Sequence, residues 1–398
     1  MSDFADRWGL NPAHFWLRGK EPERIVEHDE KMGIWNVYGY PEAAEIIGDP
    51  VTFSSDSSRL LPDAEDKDEY SEGDLLQMAE PEHTNLRKQV GRVFSPAAVA
   101  KLGARITELA TGILDELAGR DRIDLIKDFA DPMSGILFCE ILGIPPGDRE
   151  LFRLIQQSID SPVPISTVPP EDGEESYLEA QLAHLQPLRE RLAEHVDGHR
   201  KNPSDDLLGV LTGLTKLDGT GLNDNEVTNF AIIMLGAGHL TSTVLIGNTG
   251  LLLDEFPDQA ARVRADRALV PSVIEESLRF LTPAAATYRA TTAEVKVGDT
   301  VIPKDQIVQV WYAAANRDPR QFERPHEFDP GRDPNPHFGF GRGIHYCLGA
   351  HMARLEGRIV FNLLLDRFPA MRTDPADPPS FFGAPDFIGL HSLPVRVN

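Results

Sequence analysis

The run Phe340-Gly-Arg-Gly-Ile-His-Tyr-Cys-Leu-Gly349 is the densest chemical signal in the chain. Gly339, Gly341 and Gly343 let the backbone turn tightly and approach a bulky partner, and Cys347 stands just before an amphipathic stretch, residues 348–368, with helical spacing. A cysteine at a helix N-terminus has its thiolate favoured by the helix dipole and by free backbone N–H groups, and such a thiolate is a good axial ligand for haem iron. Three blander readings compete. A buried cysteine in a glycine-rich turn needs no ligand. A nucleotide loop in Gly-x-Gly-x-x-Gly register from Gly339 would need glycine at Ile344, and no Lys-Ser/Thr pair follows for a phosphate loop. Zinc could use His345, Cys347 and His351, but no second cluster with ligand spacing completes the set.

The rest of the chain suits a large soluble fold. Its 398 residues can bury a core as one large domain or two ordinary ones without disulfide staples. Hydrophobic residues make up 41% and charged residues 26%, which excludes collagen-like, low-complexity and broadly disordered chains. Lys plus Arg number 39 against 63 Asp plus Glu, a formal net charge of −24 that repels nucleic-acid phosphates and anionic membranes, and no local basic groove offsets it. Cys139 and Cys347 cannot build a disulfide framework, and the start MSDFADRWGL has neither a basic nor an apolar signal region, so a cytoplasmic location is expected. The apolar runs at 232–235 and 251–253 are short and broken by Gly, Thr and Asn, so no membrane span is expected either.

Helical patterning dominates. Ser95-Pro96 pairs an N-cap with proline at the first helical position, and apolar residues recur at helical spacing from Leu102 to Leu117. Residues 223–256 open with the capping residues Asn223 and Asp224 and close before Pro257, predicting a helix of ~50 Å at ~1.5 Å per residue. Further helices are predicted at 271–281 and 348–368, whereas 294–312 reads as strand around Gly298-Asp299 and Lys304-Asp305 turns. Two biased stretches interrupt the helices as long loops rather than linkers: 57–80, with seven acids from Asp63 to Asp74, and 161–176, with Pro162, Pro164, Pro169 and Pro170. No internal repeat is present. The expected class is mainly α with a small β-rich part.

Every fixed position of the 340–349 run matches Phe-Gly-x-Gly-x-His/Arg-x-Cys-x-Gly, the haem-ligand loop of cytochrome P450 enzymes, which the chain resembles. Four other motifs, in the family's order, extend the resemblance over nearly the whole length. It implies the cytochrome P450 fold as a single domain, 1–398, holding haem b with the Cys347 thiolate as axial ligand. In Glu276-Ser-Leu-Arg279 the i, i+3 spacing puts carboxylate and guanidinium on one helix face, as many solvated ion pairs also do. It is similar to the family's Glu-x-x-Arg helix, and Arg332 falls at the third member of that buried, structural ion cluster.

His83 and Arg87 are four residues apart and offer two donors to one anion; taken alone they suit an ordinary surface. By resemblance they join Arg289 and His345 as donors to the two haem propionates, carboxylates that are costly to bury unpaired. Gly236-Ala-Gly238-His-Leu-Thr241 places two glycines mid-helix, where each costs ~1 kcal/mol relative to alanine. Close packing is one reason for them. The resemblance implies another: a local opening for O2 and water, with Thr241 as the catalytic hydroxyl, Gly238 beside it, and Leu240 where the family pattern carries Asp or Glu. Protons must then come from another water chain, from His239 or Ser242, or from a substrate hydroxyl. Cys139, in an apolar helical run, is expected to be an inert core residue.

Membership would make the chain a monooxygenase that inserts one oxygen atom of O2 into an unactivated C–H bond of a small hydrophobic organic substrate. Electrons would come from a separate ferredoxin or flavodoxin with its reductase. Thr52-Phe-Ser-Ser-Asp56, the stretch 237–248 and Leu253-Asp-Glu255 are most similar to actinobacterial hydroxylases that tailor macrolides, which points to a secondary metabolite, macrolides included. Epoxidation, desaturation or coupling by the same oxidant, and non-catalytic haem-thiolate sensing, are the alternatives. The acidic run at 63–74 is either a solvated surface or a lure for a cationic, amino-sugar macrolide.

Overall fold

Helices account for about half of the computed structural model, which describes residues 2–60, 72–145, 147, 148, 150, 151, 153, 154 and 177–397. In chain order they are α1 (Ser2–Arg7), α2 (Tyr40–Gly48), α3 (Glu82–Val90), α4 (Pro96–Glu116), α5 (Asp131–Leu142), α6 (Tyr177–Lys201), α7 (Leu207–Thr212), α8 (Asp224–Leu235), α9 (Thr241–Glu255), α10 (Pro257–Ala265), α11 (Val270–Phe280), α12 (Tyr312–Ala315) and α13 (Ala350–Arg367). Residues 61–71 of the acidic stretch and all of 161–176 lie outside the described residues.

Local chemistry sets the helix starts. Ser95 Oγ accepts the Ala98 N–H at 3.3 Å and Pro96 follows it, so α4 begins where the cap and the fixed proline φ agree. Helix α8 opens on a capping box: Asn223 Oδ1 accepts the Glu226 N–H at 2.8 Å while Glu226 Oε2 accepts the Asn223 N–H at 2.7 Å. The helical path runs on through a wider π-helical turn, Gly236–Leu240, into α9. The 32 residues from Asp224 to Glu255 are long and apolar enough to cross a membrane by length and composition, which corrects the expectation that no stretch comes near it. Of the most apolar window, 61% is packed inside the fold, as suits a core helix.

The strands are β1 (Val26–Asp29), β2 (Ile34–Val37), β3 (Phe53–Ser54), β4 (Arg122–Asp124), β5 (Thr287–Thr291), β6 (Val295–Val297), β7 (Thr300–Ile302), β8 (Ile307–Val310), β9 (Arg372–Thr373), β10 (Ser380–Phe381), β11 (Leu390–Ser392) and β12 (Pro394–Arg396). The largest sheet runs β1-β2-β8-β5-β3, with β2 parallel to β8 and the other neighbours antiparallel. Of the predicted 294–312 strand region only β8 joins this sheet, beside β5, which ends before residue 294; β6 and β7 pair with each other in a separate hairpin, and Tyr312 starts a short helix instead. Pairing of Ser54 with Ala290 brings Ser55 and Arg289 to the same edge of this sheet.

The main core gathers Phe129, Leu245, Leu252, Ile274, Phe361 and Leu364 around α9, α11 and α13. Helix α13 also lies along α4. Because α13 follows directly on the glycine-rich loop, and α9 on the widened turn, the same core anchors both segments. Cys139 sits in a separate apolar cluster with Leu142, Leu192 and Phe230, and burial pushes its thiol up to about 11, as an inert core cysteine requires.

Candidate active site

The glycine-rich loop is folded by its own backbone. Gly341 and Gly343 have φ of 65° and 71°, and a Cβ on Gly343 would lie 2.9 Å from the Ile47 carbonyl oxygen, so both positions exclude ordinary side chains. The Cys347 N–H donates to the Phe340 carbonyl at 2.8 Å, closing the loop on itself. Cys347 is exposed, yet the thiol is desolvated by its surroundings and is pushed up. The Gly349 N–H, Arg87 and Arg354 pull the other way and do not win. The helix-dipole advantage expected from the sequence is thus outweighed by burial, and a metal bound to the sulfur is what would deprotonate it.

Beside the loop stands a group of four donors drawn from three elements. His83 and Arg87 come from α3, Arg289 from β5 and His345 from the turn before Cys347. The His83 and His345 rings are 4.0 Å apart, and Arg87 donates to the Tyr346 carbonyl. Ser55 Oγ meets His345 Nε2 at 2.7 Å. Desolvation lowers His345 to about 3, with His83, Arg289 and Arg87 adding repulsion; it lowers His83 as well. Buried Arg289 finds only Thr287 Oγ1 at 3.2 Å and the Tyr288 carbonyl at 2.6 Å, with no ion pair among the described residues. His83 Nε2 is buried without a hydrogen-bond partner, and Glu80 Oε1 stands 3.9 Å from Nδ1. Four donors gathered beside the loop that carries Cys347, with so little negative charge among them, suit a ligand that carries carboxylates.

The widened turn between α8 and α9 is the second stretch that the sequence singles out. Gly236 and Ala237 are exposed there, Leu240 and Thr241 half-buried. Thr241 Oγ1 donates to the Ala237 carbonyl four residues back, the local competition expected of a threonine at an opened helical turn. Gly238 has a packing reason of its own: a Cβ there would stand 1.7 Å from the Phe138 ring, whereas Gly236 meets nothing within 4 Å. His239 points away into the core, its Nε2 at 2.8 Å from Asp131 Oδ1.

A family model for cytochrome P450 matches residues 175–398. The cyclomarin C epoxidase CymV of Salinispora arenicola is 36% identical over 391 residues, 98% of this chain and 97% of that one. The chain belongs to the cytochrome P450 family. The erythromycin C-12 hydroxylase of Saccharopolyspora erythraea is 33% identical, covering 96% of this chain and 94% of the relative. Among solved structures, the post-tailoring hydroxylase HmtN of himastatin biosynthesis superposes with a TM-score of 0.88 at 49% identity, covering 99% of each chain. The chain is therefore a P450 monooxygenase with the mainly helical P450 fold, and bacterial P450s of this kind take organic substrates, O2 and electrons from redox partners.

The Glu-x-x-Arg pair of this P450 is fully buried. Glu276 accepts from Arg279 Nε at 2.8 Å and from a terminal nitrogen at 2.7 Å, and Arg332 Nε stands 3.2 Å from Glu276 Oε2. The Asp329 N–H at 2.9 Å and Asn335 Nδ2 at 3.1 Å complete the carboxylate's partners. Two groups escaped the sequence reading. Ser55 lies inside the quoted 52–56 stretch but carries no spacing signal. Glu356 is 1% exposed on α13; Ser134 Oγ donates to its Oε1 at 2.8 Å, its Oε2 is buried without a hydrogen-bond partner, and burial raises it. A glutamate on the polar side of a helical pattern looks like any surface acid.

Proposed function

We propose that this P450 binds haem b through the Cys347 thiolate and hydroxylates a C–H bond of a complex secondary metabolite. The observation that carries the reading is the convergence of Cys347 with His83, Arg87, Arg289 and His345. The residues fit the group: His83 Nε2 and Arg289 offer unsatisfied donors for carboxylates beside a single exposed thiol. Haem bound there would supply one-electron and O2 chemistry, with the thiolate pushing electron density to favour O–O cleavage.

The protein's part is binding, orientation and proton supply. Gly236 and Ala237 leave room over the widened turn, and Thr241 presents a hydroxyl beside it. Because Leu240 cannot give a proton, we assign that task to Glu356. Its raised pKa keeps a proton on the carboxyl near neutrality more readily than an ordinary glutamate would, and Ser242, which pulls that pKa the other way, neighbours Thr241 in the chain. The Glu276–Arg279–Arg332 cluster is structural, since Glu276 and Arg279 are fully buried and spend their bonds on each other, on Arg332 and on the backbone around residues 316–329.

Relatives named for cyclomarin C, erythromycin and himastatin support a secondary-metabolite substrate, and the himastatin hydroxylase is more similar than the erythromycin one. A macrolide is one candidate. The chain acts as one domain, 1–398, in the cytoplasm, and its electron donor is a ferredoxin or flavodoxin with its reductase. Cys347→Ala should abolish the reduced carbon monoxide band near ~450 nm that thiolate ligation produces, while Cys139→Ala should keep it. The reverse pattern would overturn the ligand assignment. Difference spectra against macrolides and non-macrolide secondary metabolites would then place the substrate.

A further inference from the structure

Arg354, near the start of α13, is held from three sides. Its Nε and one terminal nitrogen donate to the two oxygens of Glu275 at 2.7 and 2.8 Å. Its other terminal nitrogen donates to the Tyr346 hydroxyl at 2.9 Å, and the guanidinium lies 4.5 Å from the Phe340 ring centroid. His337 Nε2 meets the same Glu275 carboxylate at 3.1 Å. Arg354 and His337 together hold Glu275 down to about 2, so the acid is charged at every working pH. The pair therefore touches both arms of the loop: Phe340, whose carbonyl accepts the Cys347 N–H, and Tyr346, the residue before the cysteine.

We propose that Arg354 and Glu275 form an electrostatic set-point for Cys347. Arg354 is a positioning residue that aims a fixed positive charge at the sulfur from behind the loop, and Glu275 both orients that charge and tempers it. Glu275 is the neighbour of Glu276, so the buried ion cluster anchors the helix from which it reaches out. The inference rests on the haem-thiolate reading. Reduction adds negative charge to a haem-thiolate centre, so a nearby cation favours the reduced form and a nearby carboxylate opposes it. The two side chains are 36% and 27% exposed, which leaves the field partly screened and open to salt.

A staple that merely holds the loop would behave differently from a charge pair, and the signs separate them. The midpoint potential of the purified holoenzyme should be measured by spectroelectrochemical titration, without any protein partner, for the native chain, Arg354→Gln, Glu275→Gln and the double variant. The pair predicts a fall for Arg354→Gln, a rise for Glu275→Gln, a double variant near native, and smaller shifts at high salt. Shifts of the same sign in both single variants, or none in either, would overturn it. If Arg354→Gln fails to hold haem, Glu275→Gln and Arg354→Lys carry the test: a rise in the first with little change in the second supports the pair, and any other result rejects it. A native protein lacking the thiolate-type carbon monoxide band would instead sink the haem-thiolate reading itself.

Discussion

Arg289 concentrates the physical case for the site. A guanidinium buried on a sheet strand, bonded only to a threonine hydroxyl and a carbonyl, has most of its donors left over, and burial lowers its pKa. Nothing in the sequence around residue 289 says so. Positions 83, 87, 289 and 345 could be joined beforehand only through the order of family motifs, because strand pairing and helix packing, not spacing, bring them together. Replacing Arg289 with Ala should remove charge-assisted bonds worth ~1.5–3 kcal/mol, weakening haem retention by roughly tenfold or more. The ratio of Soret to protein absorbance after desalting reads this directly, and unchanged retention would place the carboxylates elsewhere. Glu356 was illegible for a different reason, since burial of an acid depends on what packs over it. Glu356→Gln should leave the carbon monoxide band in place but lower product formed per NADPH consumed, whereas Leu240→Glu should not raise that ratio. A several-fold gain from Leu240→Glu would mean that Glu356 does not supply the proton.

The long helix over residues 224–255 was legible from its caps and its following proline, yet its widened turn was visible only as two glycines, for which close packing and a local opening were both open readings. The structure gives the glycines different reasons. Gly238 is where α5 drives the Phe138 ring against the backbone, and Gly236 faces open space. Gly238→Ala should therefore destabilise the fold by ~1–3 kcal/mol through overpacking, and Phe138→Ala should relieve part of that strain. Gly236→Ala, free of contacts, should be neutral or stabilise by up to ~1 kcal/mol through helix propensity. Thermal denaturation of the four proteins decides it; equal losses at both glycines would show that the turn's backbone geometry, not the Phe138 ring, requires them. The strand region shows the converse limit. Residues 294–312 hold β6, β7 and β8, but β5 was missed because Thr287–Thr291 has no alternating pattern, being buried on both sides at Arg289, Ala290 and Thr291.

Contacts between the chain's two ends hold the molecule together, and one of them makes its stability depend on pH. His14 is 2% exposed, its Nε2 at 2.6 Å from the Pro385 carbonyl, so a residue of the amino-terminal segment is tied to the turn that precedes β11. Desolvation, helped by Arg18, lowers its pKa from 6.5 to about 4, with the Pro385 bond opposing. Above pH ~6.5 the imidazole is neutral whether the chain is folded or not, and it makes no contribution to pH dependence. As pH falls from ~6.5 towards ~4 the unfolded chain takes up a proton that the folded one refuses, so folding loses stability, by about 3 kcal/mol in all. His14→Gln keeps a donor for the Pro385 carbonyl and cannot titrate. Its melting temperature should therefore fall less steeply than the native one between pH 6.5 and 4, with the two curves parallel above that window. Curves that stay parallel below pH 6.5 as well would show that His14 reaches solvent when protonated, and the tie between the two ends would then be looser than the 2.6 Å contact implies.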